Sequence, residues 1–493
     1  MTPNPVRPTE RPVVQSGRCL STSLVSMPPP EGAPTAMSSV LDRLRRLQSL
    51  REQKKPAEAQ LPPPPQAPDF GAADPWGRLE ELVPGQEVEN ELGTYYVSTR
   101  AVPLHQRRGP QALGDLLTQQ PAIFAPFHPQ FRLDGMADFQ QAAFLDTETT
   151  GLGAGAGVYC FMVGVGTFET WDTSAPGANG QEPSPTHFVV RQFFMRHPGE
   201  EGAMLAGLAD FLARCSMTVT FNGRTFDLPL LRTRFFQNRS RLQAARVQVP
   251  LLAEDGPHLD LLHPARRLWR RRLQSCRLLH LEQQILGWQR SEEDVPGHLI
   301  PLLYADYLRS GNARPMRRVF YHNQEDIVTM VALAGQLSHI FNVEADGSPA
   351  PTPLYGPDWL ALGHCHERAG CLADAESAYR QAVELLATPQ EQAEAFRRLG
   401  LLLKRQGRWS EAVEIWQRWL SSVPGTDPTP FEELAKYCEW QLRDLAQAEM
   451  WTSWALHTLR REAARPQADP PTREAIRRLE HRLQRLQRKQ AGG

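Results

Sequence analysis

The hydrophobic and polar positions of this 493-residue chain fall into three regimes. Up to about residue 75, apolar residues are sparse and proline recurs, with runs at 28–30 and 62–65. Such a segment cannot bury enough apolar surface to offset the entropy of ordering it, so 1–75 is expected to be disordered. Within it, Val40, Leu41, Leu44, Leu47 and Leu50 form a short amphipathic stripe, and Met37 just before them is a candidate alternative start. From 76 to 342 the pattern changes to short apolar runs and alternation. Thr94-Tyr95-Tyr96-Val97 predicts a strand in an extension, 76–137, that packs on the domain after it. In 138–342 the order is a strand ending near 149, strands at 159–168 and 187–195, a helix at 201–215, a strand at 217–221 and a helix. Three antiparallel strands and a helical crossover to a parallel one predict an α/β mixed sheet flanked by helices, its first strand central.

The third regime is helical and repeats itself after a proline-rich linker at 343–354. Trp359, Leu362, Gly363, Gly370, Ala375, Tyr379 and Ala382 recur as Phe396, Leu399, Gly400, Gly407, Ala412, Trp416 and Trp419. Small residues at fixed offsets let paired helices approach, and large ones fill the grooves between units. A third, degenerate unit keeps Ala435, Ala448 and Ala455. These offsets resemble the tetratricopeptide repeat over 355–463, which implies a protein partner or self-packing. The repeat tryptophans are expected to pack rather than bind. An amphipathic capping helix is expected in 464–493, on Ile476, Leu479, Leu483 and Leu486.

Composition adds two exclusions and one local signal. Seven cysteines without a Cys-x-x-Cys pair argue against a zinc frame or disulfide scaffold. No stretch approaches the roughly 20 apolar residues of a membrane span, so a cytoplasmic protein is expected. Formal net charge is −1. Locally, 228–253 contains no acid and carries Arg232, Arg234, Arg239, Arg241 and Arg246. The second acid-free stretch, 261–281, carries Arg266, Arg267, Arg270, Arg271, Arg272 and Arg277 around Trp269. Guanidinium groups suit phosphates and tryptophan suits base stacking, so Arg232, Arg234, Arg266, Arg270 and Trp269 are candidate contacts to a single strand. The bland alternative is a solvated helix face.

The chemistry concentrates in Phe144-Leu145-Asp146-Thr147-Glu148-Thr149-Thr150-Gly151. Residues two apart on a strand share a face, so Asp146 and Glu148 stand together, an arrangement that a bound cation or a retained proton relieves. Asn222-Gly223-Arg224-Thr225-Phe226-Asp227 places another acid where a strand gives way to a helix. His322 and Asp326, four apart, share a helix face. Gly151-Leu152-Gly153-Ala154-Gly155-Ala156 has dinucleotide-fold spacing, but the β-branched and aromatic run after it reads as a strand, and the glycines as a hairpin turn.

Taken in order, Asp146, Glu148, Asp227 and Asp326 with His322 resemble the DEDD superfamily of ribonuclease H-like exonucleases, and the Asn222-x-x-x-Phe226-Asp227 motif strengthens the likeness. The 278–287 segment, Arg290, 294–297 and His322-Asn323-x-x-Asp326-Ile327 look like its YprB-type branch. The resemblance implies a ribonuclease H-like fold and a 3′–5′ exonuclease acting on single-stranded DNA or RNA. It further implies two Mg²⁺ or Mn²⁺ ions on the four acids, Asn222 and Phe226 at the substrate, and His322 as general base. The family's histidine subclass sets its base five residues before the last aspartate, where this chain has Tyr321. Four residues turn about 40° on a regular helix and five about 140°, which favours His322 if the helix has begun by then. Asp260 is expected to act behind the acids. Two other readings stand beside the nuclease: a non-catalytic nucleic-acid clamp serving the repeats, and a nucleotide phosphodiesterase.

Overall fold

The computed structural model describes residues 77–127, 137–151, 157–171, 184–242, 246, 249–342, 353–425, 427–463 and 470–491. The proline-rich segment and Met37, most of the glycine turn and most of the linker at 343–354 lie outside these residues.

Seven strands form one sheet: β1 (Gly85–Asn90), β2 (Gly93–Pro103), β3 (Ala142–Thr149), β4 (Cys160–Glu169), β5 (His187–Phe194), β6 (Met217–Thr220) and β7 (His258–Asp260). In this numbering the spatial order is β1-β2-β5-β4-β3-β6-β7. The first five strands in that spatial order pair antiparallel, whereas β6 lies parallel to both β3 and β7. The expected mixed sheet is therefore present, and β3 is an interior strand. Beyond the glycine turn the chain resumes at Cys160 as a strand, β4, paired antiparallel with β3, where a dinucleotide-binding fold would continue as a helix. The 76–137 extension does more than pack on the sheet: β2 joins it along β5, from Tyr96 opposite Phe194 to Pro103 opposite His187.

Alternation along β3 buries both faces. Ala143 and Leu145 enter a core with Met204, Leu205 and Leu208 of α1 (Glu201–Leu212) and Leu230 and Leu231 of α2 (Asp227–Gln237). Ala142 and Phe144 enter the opposite core, with Leu268 of α3 (Leu262–Trp269) and Ile327 and Val331 of α5 (Arg314–Phe341). Between them in the chain lies α4 (Ile300–Ser310), whose Tyr304 stacks on Phe161 at 3.9 Å.

Beyond the sheet the chain is helical and stacked in pairs. The first pair is α6 (Gly356–Ala369) and α7 (Leu372–Leu385), and the second α8 (Pro389–Arg405) and α9 (Trp409–Ser422). A third is α10 (Thr429–Tyr437) and α11 (Leu445–Ala463), with α12 (Pro470–Ala491) packed on α11 through Leu479. Trp416 and Trp419 are buried, as their repeat positions require. Trp440 and Trp454 are exposed, so packing does not account for every tryptophan here.

Candidate active site

The first two acids stand where β3 ends. Its register shifts between Glu148 and Thr149, and such a bulge re-aims side chains as pairing stops. Asp146 lies opposite Gly164 of β4, where a Cβ would collide with Asn323 and Ile327. The missing side chain admits Asn323, whose amide donates to Asp146 Oδ2 at 2.9 Å. Gln192 donates to the other end of Asn323 at 3.0 Å, which fixes the orientation of that amide.

Asp227 begins α2, where unpaired N–H groups favour an anion. Thr147 donates its hydroxyl to it at 2.5 Å. The turn before it is fastened by Asp260, which accepts the N–H groups of Asn222 and Arg224 at 2.8 and 3.2 Å. Asn222 takes a left-handed φ of 69° there, so Asp260 shapes the loop that delivers Asp227.

Residues 321–326 lie inside α5, well past its start at Arg314. His322 Nε2 is 3.6 Å from Asp326 Oδ2, and its Nδ1 is 2.7 Å from Asp294 Oδ1. The Tyr321 hydroxyl instead accepts the Ser291 N–H at 3.0 Å. Of these two neighbours, His322 is the one beside the acids.

Burial governs the charge state. It lifts Asp146 far above the usual carboxylate range, with repulsion from Asp326, Asp227 and Glu148 added. Glu148 is pushed to about 8 by burial, which with the charges of Asp326 and Asp227 outweighs the opposing pull of His322. Asp227 rises to about 6, again through burial, against the hydrogen bond from Thr147. Burial by itself would lower His322, but Asp326, the Asp294 hydrogen bond and Glu148 raise it to about 9. Four carboxylates thus share one electrostatic neighbourhood.

Asp326 also has a resident cation. Arg290 donates to its Oδ1, meets Glu282 Oε2 at 2.9 Å and lies 3.6 Å from Asp294. Glu282 is fully buried, so this arginine is locked in place. Sequence reasoning noted Arg290 and Asp294 only as part of a likeness and missed their roles, along with those of Glu282, Asn323 and Gly164. A buried charge pair carries no periodic signal that would have exposed it. Asp146, Glu148 and Asp227 offer only oxygen donors, and no hydrogen bond from the described residues reaches the Glu148 side chain. That set fits a hard divalent cation. No three of the site's acids bring an oxygen within 4.8 Å of one another among the described residues, so a bound ion would have to draw them together.

The arginine segments divide sharply. Arg234 is buried and doubly bonded to Glu201, at 2.5 and 2.6 Å, and Trp269 is 1% exposed in the core. Neither is placed to touch a strand, which corrects both expectations: an acid in α1 and an apolar core claimed them. Arg246, Arg271 and Arg272 pair with Asp210, Glu394 and Asp358. Arg232 donates to the Leu252 carbonyl at 2.8 Å beside a largely apolar cavity of about 710 Å³. Phe226, half-buried, caps the start of α2. Arg266 and Arg270, with Arg277, line a cavity of about 790 Å³ that also includes Phe221 and Asn222. None of these three has an ion-pair partner among the described residues.

Residues 143–338 match the RNase_H_2 family of the RNase H superfamily. The chain carries an RNase H-like domain. It is also 31% identical over 309 residues to "Uncharacterized protein YprB" of Bacillus subtilis (strain 168), a match covering 62% of this chain and 66% of that protein. The chain therefore spans slightly less than two thirds of that relative. Among the described residues no helix is long and apolar enough to cross a membrane.

Proposed function

We propose that this chain is a divalent-metal-dependent nuclease that hydrolyses phosphodiester bonds of single-stranded nucleic acid, working from the 3′ end. The observation that carries the reading is the convergence of the buried Glu148 and Asp227 with the half-buried Asp146, Asp326 and His322 around the end of β3, on a domain of a superfamily whose enzymes typically use divalent metals. Asp146, Glu148, Asp227 and Asp326 would hold two Mg²⁺ or Mn²⁺ ions, which supply the Lewis acidity that the reaction needs. Cations held by Asp326 and Glu148 would offset the charges that keep His322 protonated, and the neutral ring would then take the proton of the attacking water at Nε2, because Asp294 occupies Nδ1. Asn323 keeps Asp146 aimed at the site. Asn222 and the unpaired Arg266, Arg270 and Arg277 would carry the phosphates of the strand. The helical pairs after residue 353, read as tetratricopeptide-like, would bind a protein partner.

The test is a digest of end-labelled single-stranded DNA and RNA by purified protein with Mn²⁺. Stepwise loss of nucleotides from the 3′ end is expected, absent in Asp146→Asn at unchanged fold. Activity persisting in that variant would remove the proposal. A second reading, a non-catalytic clamp, draws on the Arg290–Asp326 ion pair, which occupies one oxygen of the last acid. It requires strand binding by folded protein with no cleavage under any divalent ion.

A further inference from the structure

Among the described residues, one group of three metal-ligating side chains does bring its ligand atoms within 4.8 Å of one another, and it lies outside the active site. It comprises His366, Cys371 and Asp374. The backbone itself assembles it. His366 is in the last turn of α6, which ends at Gly370 with φ of 81°, and the Cys371 N–H returns to the His366 carbonyl at 3.0 Å. This is the six-to-one bond of a Schellman turn, available because glycine accepts the left-handed conformation. Cys371 caps α7, and Asp374, three residues on, faces the same way.

His366 supplies a second observation. It is only 7% exposed, yet its ring makes no hydrogen bond among the described residues. Its recorded ring neighbour is Phe127, edge-on at 6.3 Å. Its ring nitrogens are not sealed from solvent, so a ligand can reach them without displacing a protein partner. Burial holds its pKa below the ordinary value, which keeps a ring nitrogen free to donate a lone pair.

The next helical hairpin acts as an internal comparison. It repeats the turn, with Gly407 at φ of 79° and the Arg408 N–H bonded to the Leu403 carbonyl at 3.0 Å. The positions equivalent to His366, Cys371 and Asp374 hold Leu403, Arg408 and Glu411. There Leu403 is fully buried and Arg408 pairs with Glu411 at 2.5 Å. The turn therefore needs no ligand set to form. In the first hairpin, a self-sufficient apolar contact and ion pair are replaced by three donors without partners.

We propose that His366, Cys371 and Asp374 bind one zinc-class divalent ion, with water completing its coordination. Imidazole, thiolate and carboxylate suit Zn²⁺ and disfavour Mg²⁺, so the site is chemically distinct from the all-oxygen acids of the sheet. On binding, the Cys371 thiol gives its proton to solvent and its sulfur pair to the metal. The ion staples α6 to α7 beside Phe127. Full-length protein titrated with Co²⁺ tests this, because cobalt bound to thiolate absorbs through charge transfer. The expected band saturates with a single equivalent, is displaced by Zn²⁺, persists in Asp146→Asn and is absent in Cys371→Ser. Cys371 is exposed, so the serine variant should fold, which circular dichroism checks. No band from folded wild-type protein, or a band surviving in Cys371→Ser, overturns the proposal.

Discussion

Each residue at the end of β3 behaves according to who reaches it. Asp294 reaches His322 Nδ1, which orients the ring and leaves Nε2 toward Asp326. Asp294→Asn is expected to lower kcat about 10- to 100-fold with a smaller change in KM, as for a general base left misoriented. Steady-state kinetics on a short labelled strand would measure it. Acidity gives a second expectation. Glu148 keeps its proton up to about 8 in the folded chain against 4.5 ordinarily, and Asp227 up to about 6 against 3.8. A raised carboxylate stabilises fully below its unfolded value, and that contribution is lost as pH rises through the folded value. His322, raised from 6.5 to about 9, acts with the same sign. In metal-free protein the site should therefore contribute progressively less stability between about pH 5 and 9, read as the difference in melting temperature between wild type and Glu148→Gln, which should fall from about pH 5 to about pH 8. A difference that grows in favour of wild type across this window would contradict the site's charge balance.

Elements meet at the site because their surfaces leave room for one another. In β4, Gly164 and Gly166 face α5, and a methyl group at Gly164 would strike both Asn323 and Ile327. Gly164→Ala should cost about 1–3 kcal/mol through overpacking. It should also reduce activity beyond the loss of folded protein, since Asn323 can no longer reach Asp146. Denaturant unfolding beside activity per folded molecule separates the two effects. The same logic explains the misread arginines. A run of arginine along α2 looks uniform in sequence, but Arg234 faces α1 and Glu201 while Arg232 faces a cavity rim.

On the scale of the whole molecule, the first helical pair shares a core with the sheet. Ala361, Leu362 and Cys365 of α6 lie in one cluster with Phe124, Leu268 and Leu337, and Phe127 stacks on Phe341 at 3.5 Å. Charge reinforces the seam, where Arg272 pairs with the fully buried Asp358 at 2.9 Å. Arg272→Ala should cost about 3 kcal/mol by leaving that carboxylate uncompensated, as urea unfolding would register. A chain cut before residue 353 should expose this seam and aggregate, measured as loss of monomer in size-exclusion chromatography. The expected boundary near residue 353, where the helical pattern changes, is thus a change of pattern across a shared apolar core.

What the sequence determined was the order of elements and the places where acids enter: strand alternation, helix periodicity and turn residues are local, Asp146, Glu148 and Asp227 sit at recognisable junctions, and Asp326 shares a helix face with His322. That His322 and not Tyr321 lies beside Asp326 was likewise legible, because the direction of a side chain on a helix follows from spacing. Only the tertiary structure decided which charges are free. Arg234 with Glu201, Arg290 with Glu282 and Asp326, Asn323 with Asp146, and the three unpaired arginines by Asn222 depend on neighbours brought together by folding. A guanidinium reads the same in sequence whether it faces water or a buried carboxylate, and burial with a partner determines whether its charge remains available to a ligand.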